Sequence, residues 1–361
     1  MVPKILETPR NRVIAVVVAI ALAAGLGVAL AALSGDGEAA APSTTTTTTT
    51  QPATTTTQAP APVAPLTGLP DDGSGRTARP ALVVKYDNVE PKARPQAGLN
   101  QADVVYEERV EGSVTRLLAV FHSTDAAPVG PVRSARTSDI AIYTPLNRPY
   151  FAWSGANAFF AARIRESAVV DVGYDVQSGL YFRDGGRPAP SNLMAKGTAE
   201  LLSVPSEGSG PPPALFTYRA EGEETPHLEP VTGVRVTYGS SAGSAPVEYR
   251  WNGTGWARTQ AGTPHVDAVG VQVAPENVVV QFTPYVGSGV ADQFGKEIPE
   301  AAMVGEGDAW ILTNGGLVAA RWHKPSLEAV TTYTDADGNP VKLTPGRTWV
   351  ALPPPGEGAK L

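Results

Sequence analysis

Alternating apolar and polar residues mark most of the chain after residue 66. The pattern is clearest from 103 to 111, where Val104, Tyr106, Glu108 and Val110 fall on one face and Asp103, Val105, Glu107, Arg109 and Glu111 on the other. A period of two is typical of a β-strand. In this half, strands are predicted at 81–86, 104–110, 114–122 and 150–153, and helices at 96–102, 134–143, 156–167 and 192–202.

The second half consists mainly of short strand-like runs. They are predicted at 231–238, 247–251, 278–282, 310–313, 317–322, 331–334 and 348–352. Three turn pairs lie between them, namely Asn252-Gly253, Asn314-Gly315 and Asp337-Gly338. Such pairs favour tight hairpins, so this half is predicted to form a small sandwich or barrel.

A segment rich in proline and glycine, residues 205–213, separates the two halves. Such composition is typical of a linker. The predicted fold class is therefore α+β, with an N-terminal mixed α/β sandwich-like domain at 66–213 and a mostly β C-terminal domain at 214–361. The second domain, from about Leu215, is expected to fold independently.

The N-terminal region indicates a position at a membrane. Residues 1–12 are basic, and the 21 residues from 13 to 33 carry no charge. A run of that length can cross a bilayer as a helix, with its basic flank in the cytoplasm. A cleaved signal peptide is the alternative. Residues 34–65 are rich in Thr and Pro and predict a disordered stalk.

The composition argues against several classes of function. The net charge of -7 gives no reason to expect a nucleic-acid partner, and the chain has no cysteine for disulfides or thiolate chemistry. The four histidines lack metal-ligand spacing, and Asp335-Ala-Asp337-Gly338 favours a hairpin turn over a calcium loop. No nucleotide-binding glycine motif is present. No metal, cofactor or catalytic residue is therefore assigned.

The segment from Gly130 to Asp139 is the best candidate for a site. Gly130-Pro131 ends the preceding element, and Ser134 is predicted to cap the helix that follows. A helix start attracts anions, and Arg133 and Arg136 would add two charged forks suited to carboxylate or phosphate. The alternative is a structural ion network in which these arginines pair with glutamates of the preceding strand.

Further polar residues surround this segment. Asp103, Glu107 and Glu111 recur at even spacing, so a strand would place them on one face, where a divalent ion with an anionic substrate is a second possibility. The complete set of candidate ligand-binding residues is Arg116, Arg133, Ser134, Arg136, Asp103, Glu107, Glu111, Asp87, Asn88, Arg94 and Asn157.

Several runs resemble the YerB-like family of bacterial lipoproteins. They are Asp103 to Gly112, Thr115-Arg116, Gly130 to Arg136, Tyr86-Asp87-Asn88, Ala93 to Leu99, Trp322 and Gly346-Arg347-Thr348-Trp349. The resemblance covers roughly 66–352 and implies a two-domain extracytoplasmic protein without an established activity. This chain departs from the family because it has no cysteine to carry a lipid, so a hydrophobic anchor must replace it.

A second, distant similarity is to LytR-type cell-wall polymer transferases. It consists of an acidic strand, an Arg-bearing strand and a turn with Pro and Arg, without that family's Pro-Arg-Asp order. It is a fold-level analogy.

These features predict a single-pass membrane protein whose globular domains are extracytoplasmic and bind an anionic or glycan ligand through an Arg/carboxylate pocket. Its expected partners are the cytoplasmic membrane, through residues 13–33, and a cell-wall component or envelope protein. The alternatives are an envelope enzyme acting on a phosphorylated or glycan-linked substrate, and a structural adaptor without a pocket ligand.

Overall fold

The computed structural model describes residues 62–239, 245–292 and 295–361. The predicted cytoplasmic tail, the anchor at 13–33 and the stalk up to residue 61 lie outside these ranges. Within the described ranges, no helix has the length and apolar character needed to cross a bilayer. Residues 59–361 form one unit by their internal contacts.

The first half contains short strands and shorter helices. The strands are β1 (Leu82–Asp87), β2 (Val104–Arg109), β3 (Thr115–Phe121), β4 (Tyr150–Ala152), β5 (Val170–Asp171), β6 (Tyr181–Arg183) and β7 (Leu193–Ala195). The helices are α1 (Ser138–Tyr143), α2 (Ala158–Glu166) and α3 (Thr198–Leu202). Single 3-10 turns occur at Arg76–Ala78, Leu99–Gln101, Glu111–Ser113, Thr144–Leu146 and Ser178–Leu180.

The second half, as far as it is described, consists of strands. They are β8 (Thr217–Tyr218), β9 (Glu229–Pro230), β10 (Gly233–Val236), β11 (Val247–Trp251), β12 (Trp256–Gln260), β13 (Thr263–Pro264), β14 (Asn277–Gln281), β15 (Tyr285–Ala291), β16 (Glu297–Ala301), β17 (Gly305–Thr313), β18 (Gly316–Lys324), β19 (Thr332–Thr334), β20 (Lys342–Leu343), β21 (Thr348–Leu352) and β22 (Gly358–Lys360). Strands thus predominate over helices, and the α+β class is confirmed at that coarse level.

One mixed sheet organises the described residues. Its order is β19-β18-β17-β14-β21-β2-β3-β1-β4-β5, with β9 added to β18. Strand β21 lies between β14 and β2 and is parallel to both. All five of its residues are buried, as is typical of a strand covered on both faces. The strands predicted for two separate domains therefore belong to one sheet.

The two faces of this sheet are covered differently. On one face, Val105, Leu117 and Trp349 share a core with Val234 and Tyr249 of a second sheet, ordered β13-β12-β11-β10-β22. On the other face, the neighbouring positions of β2 and β3 pack with helices α1 and α2. Because successive strand residues point to opposite faces, each polar residue of β2 enters one of two separate environments.

Three predicted helices are wrong in part. The helix expected from Ser134 begins at Ser138, after an N-cap at Thr137, so Ser134 does not cap a helix. Residues 131–133 instead extend along β1, with the Arg133 amide donating to the Lys85 carbonyl at 2.9 Å. Strand β7 and helix α3 occupy the predicted helix 192–202, and 96–102 contains only a 3-10 turn. Backbone hydrogen bonds to neighbouring strands outweigh local helix preference at these places.

The pairing of β21 yields a prediction about the two halves. A fragment that begins at Leu215 lacks β2, so one edge of β21 is unpaired and buried Arg258 loses Glu107 as its partner. We expect this fragment not to fold by itself, and we expect co-expression with residues 59–213 to restore a folded complex. Circular dichroism with urea unfolding measures this, beside the intact chain 59–361. A cooperative urea transition of the isolated fragment would instead support two independent domains. The domain boundary near residue 213 stays a prediction.

Candidate anion-binding cleft

The segment after Gly130 is held between two strands. Asp87 donates its amide to the Pro131 carbonyl at 2.9 Å, and Ser154 donates its amide to the Arg133 carbonyl at 3.0 Å. This extended segment places Ser134 and Arg136 beside the start of β3, where Arg116 lies. The polar residues predicted from the sequence thus meet because of strand pairing, and the start of α1 contributes no separate anion site.

A cleft of about 510 Å³ opens at this place. Its polar lining includes Glu111, Arg116, Ser134, Arg136 and Asn157, all from the predicted set. Its remaining lining residues are Val110, Val114, Ala156, Phe160, Ala291, Asp292 and Ile298. The structure therefore brings together five of the eleven candidate residues, with an apolar wall beside them.

Arg116 is a buried cation at this cleft. Its side chain is only 8% exposed, and one terminal nitrogen donates to the Ser134 carbonyl at 2.9 Å. Its Nε has no hydrogen-bond partner, and among the described residues no carboxylate lies within ion-pair distance of it. Burial, together with the like charge of Arg136, lowers the pKa of Arg116 to about 10. The cation is therefore incompletely compensated.

Arg136 is compensated by Glu111. The Arg136 Nε donates to Glu111 Oε2 at 3.2 Å, and Nη2 donates to Oε1, so the carboxylate occupies the guanidinium fork with both oxygens. Burial alone would raise the pKa of Glu111, but the charge of Arg136 outweighs it and keeps this pKa below its ordinary value. Glu111 therefore stays ionised at neutral pH.

The other candidates near the cleft have structural partners. Arg133 Nε donates to Asp87 Oδ2 at 3.2 Å, and Ser191 donates to the same oxygen at 2.7 Å. Asn157 accepts from the Phe159 amide at 2.9 Å and caps the nine-residue helix α2. The helix dipole at this cap adds partial positive charge to the cleft wall.

Glu107 belongs to a buried network on the opposite face of β2. Its Oε1 lies 2.8 Å from Arg258 Nη2, and its Oε2 accepts from Tyr249 and Trp349 at 3.2 and 3.1 Å. Asn88 joins the network through Thr115 at 2.7 Å. Glu107 and Asn88 therefore connect the central sheet to the second sheet rather than lining the cleft.

His265 extends this network in a defined tautomer. Arg258 can only donate, so the His265 Nδ1 at 2.6 Å accepts, and Nε2 carries the proton that it donates to Gln96 Oε1 at 2.8 Å. Burial and the neighbouring positive charge of Arg258 lower the pKa of His265 well below its ordinary value. A neutral His265 thus matches the hydrogen bonds around it.

Asp103 and Arg94 lie outside the cleft lining. Asp103 Oδ2 accepts from the amides of His122 and Ser123 at 2.6 and 3.0 Å. Arg94 pairs with Glu90, and burial lowers its pKa to about 10. The even spacing of Asp103, Glu107 and Glu111 therefore does not gather three carboxylates, because Glu111 leaves the strand in a 3-10 turn.

A buried charged triad behind the cleft was not predicted. Lys85 on β1 pairs with Glu108 on β2 and with Asp139 on α1 at 2.7 Å, and all three side chains are fully buried. Burial, only partly opposed by the charge of Lys85, raises the pKa of Asp139 to about 7. Asp139 also accepts from the Arg136 amide at 2.8 Å. Lys85 lies within an apolar strand run, the one sequence signal that could have revealed it.

Three potential metal ligands also lie together. His227, Asp335 and Asp337 offer ligand atoms within 4.8 Å of one another. His227 Nε2 forms a hydrogen bond with Asp337 Oδ2 at 2.8 Å, and both side chains are exposed. The sequence did not indicate this group, because His227 lies far from the two aspartates along the chain.

Comparisons with known proteins identify the family. The N-terminal domain of "Protein of unknown function (DUF3048)" matches residues 66–207, and its C-terminal domain matches residues 234–350. The chain belongs to this family, and the resemblance to YerB-like proteins is confirmed.

One relative from Bacillus subtilis, YerB, matches this chain both in sequence and in structure. The chain is 29% identical over 314 residues to "Putative lipoprotein YerB" of strain 168, which covers 82% of this chain and 88% of that protein. The crystal structure of the YerB protein from Bacillus subtilis matches with a TM-score of 0.70 at 25% identity, covering 83% of this chain and 99% of that one.

The Glu107 network yields a stability prediction. Glu107→Gln leaves buried Arg258 without its counter-charge, and breaking such a pair costs about 3–5 kcal/mol of unfolding free energy. The matched control is Glu306→Gln, because Glu306 pairs with Arg321 at the exposed surface, where a pair contributes about 0–1 kcal/mol. Urea unfolding of the chain 59–361 measures both variants. Equal losses in the two variants would contradict a structural role for Glu107.

Proposed function

We propose that this chain is a membrane-attached, extracytoplasmic protein of the cell envelope that binds an anionic ligand in the cleft. One observation carries the proposal. Arg116 is only 8% exposed at the cleft, and no carboxylate among the described residues lies within ion-pair distance of it. A buried cation without a counter-charge at ion-pair distance is costly, and an anion in the cleft would lower that cost.

The electrostatics of the cleft support an anion over a neutral ligand. Burial and the charges of Arg136 and Arg133 lower the pKa of Arg116, and Glu111 and Asp87 oppose this shift only in part. Arginine forks bind planar or tetrahedral oxyanions with two parallel hydrogen bonds. Ser134 and the start of α2 add polar groups to the same wall.

The size and walls of the cleft favour an anionic group carried on a larger body. A volume of about 510 Å³ lies within the usual range for small-molecule sites, roughly 300–1,000 Å³. Val110, Phe160 and Ile298 provide apolar surface beside the arginines. A glycan-linked or lipid-linked anion of the cell wall suits this combination.

Membrane attachment is proposed from the sequence and the relative. The relative from Bacillus subtilis is named a lipoprotein, whereas this chain has no cysteine. The uncharged segment 13–33 is long enough to anchor it instead. The cytoplasmic membrane and a cell-wall component are therefore its proposed partners.

Arg116→Gln tests the cleft. Charge-assisted hydrogen bonds contribute about 1.5–3 kcal/mol each, so we expect pyrophosphate to bind the variant at least about tenfold more weakly. Thermal stability should not fall, because the variant removes a buried charge that has no carboxylate partner. Calorimetric titration and a thermal melt measure the two effects. Arg235→Gln is the control, since Arg235 pairs with Glu248 at the surface. Unchanged binding together with a lower melting temperature would show that Arg116 serves the fold.

The topology is tested on intact cells. We expect added protease to degrade the part of the chain after Ser34 and to spare the N-terminal residues, because the basic flank at 1–12 favours the cytoplasmic side. A reporter fused after Leu361 provides a second measurement. Cytoplasmic activity of that reporter would exclude the proposed orientation.

A further inference from the structure

Glu111 occupies the position in which an external anion would bind Arg136. Its two oxygens meet Nε and Nη2 of that arginine, which is the two-pronged geometry that arginine offers to carboxylates and phosphates. Both residues line the cleft. A ligand oxyanion that uses this fork must therefore replace the Glu111 carboxylate.

The local backbone makes this replacement feasible. Glu111 lies after the end of β2, in a 3-10 turn where Gly112 has φ 70° and Ser113 has φ 57°. The Glu111 side chain is 23% exposed, whereas that of Arg136 is 8% exposed. When the ion pair opens, the carboxylate can move toward water while the guanidinium stays buried. Opening of the ion pair therefore costs more free energy at Arg136, which stays buried without a counter-charge, than at Glu111, which reaches water.

The charges also indicate what kind of anion fits. Glu111 pairs with Arg136 and also acts on the charge of Arg116 from a greater distance, while no carboxylate in the described part of the chain lies within ion-pair distance of Arg116. A monoanion would only replace Glu111. A dianion can replace Glu111 at Arg136 and also compensate Arg116, so the exchange gains one favourable pairing.

We propose that Glu111 is an internal competitor at the cleft, displaced by a phosphate-type dianion that binds Arg136 and Arg116 together. This inference rests on the proposed anion-binding function and adds the ligand class and the residue that sets its affinity. The same phosphate chemistry can come from free phosphate or from a phosphorylated glycan or lipid. The apolar wall at Phe160 favours the esters.

Calorimetric titration of the full chain in nonionic detergent tests the competitor. The probes are inorganic phosphate, pyrophosphate, a phosphorylated sugar and acetate. We expect Glu111→Gln to bind phosphate and pyrophosphate at least tenfold more tightly than the unmodified chain. Glu276→Gln is the matched control, because Glu276 meets the fork of Arg347 with both oxygens outside the cleft, and the variant removes the same charge. We expect less than a threefold change for that control.

A thermal melt gives a second readout that does not require calorimetry. Glu111→Gln leaves Arg136 without a counter-charge, so its melting temperature should be lower without ligand and should rise more with phosphate than that of the unmodified chain. Glu111→Asp keeps the charge on a shorter side chain and should lie between the two. This series keeps the test informative if one variant folds poorly.

The outcomes separate the inference from the proposed function. Binding of phosphate to the unmodified chain with no gain in Glu111→Gln overturns the competitor role and leaves anion binding standing. Equal gains in Glu111→Gln and Glu276→Gln overturn it as well, since general charge would explain both. Acetate binding that is as tight as phosphate binding overturns the proposed preference for a dianion. Absence of binding of every probe to every variant overturns both proposals.

Discussion

The parallel pairing of β21 with both β2 and β14 is the constraint on which the rest of the structure depends. This pairing places residues from the end of the chain in the middle of the central sheet, next to β2 of the first half. Trp349 on β21 then reaches Glu107, and Arg258 stacks over Trp349 at 4.8 Å. A long-range pairing of this kind is slow to form and depends on both halves being present.

The alternation of β2 assigns its adjacent glutamates to different roles. Glu107 faces the second sheet, where Arg258 compensates it within a hydrogen-bonded network that leaves the Arg258 Nε without a partner. Glu108 faces the helices, where it shares Lys85 with Asp139. Such networks contribute specificity for one packing arrangement as well as energy. They hold the strand rigid on both faces, and a rigid strand keeps Arg116 on the neighbouring β3 in place.

The cleft differs from these networks because its charges do not balance locally. Arg136 has Glu111 and Arg133 has Asp87, while Arg116 receives one carbonyl oxygen and no carboxylate at ion-pair distance among the described residues. Among other buried cations of the described core, Lys85 and Arg258 have carboxylate partners, while Lys324 donates to the Ala329 carbonyl. Arg116 differs from Lys324 because it lines the cleft of about 510 Å³.

The sequence by itself determined most strands, the family and the arginine-bearing segment, because alternation, turn pairs and local motifs act over a few residues. Strands β11 and β21 have the predicted bounds. The tertiary structure decided which polar residues meet. Asp103, Glu107 and Glu111 share a spacing but have three different partners, and the helix expected at Ser134 gave way to pairing with β1. Arg258, His265 and Lys85 became significant only through contacts distant in sequence, since burial and charge pairing depend on neighbours that local patterns do not specify.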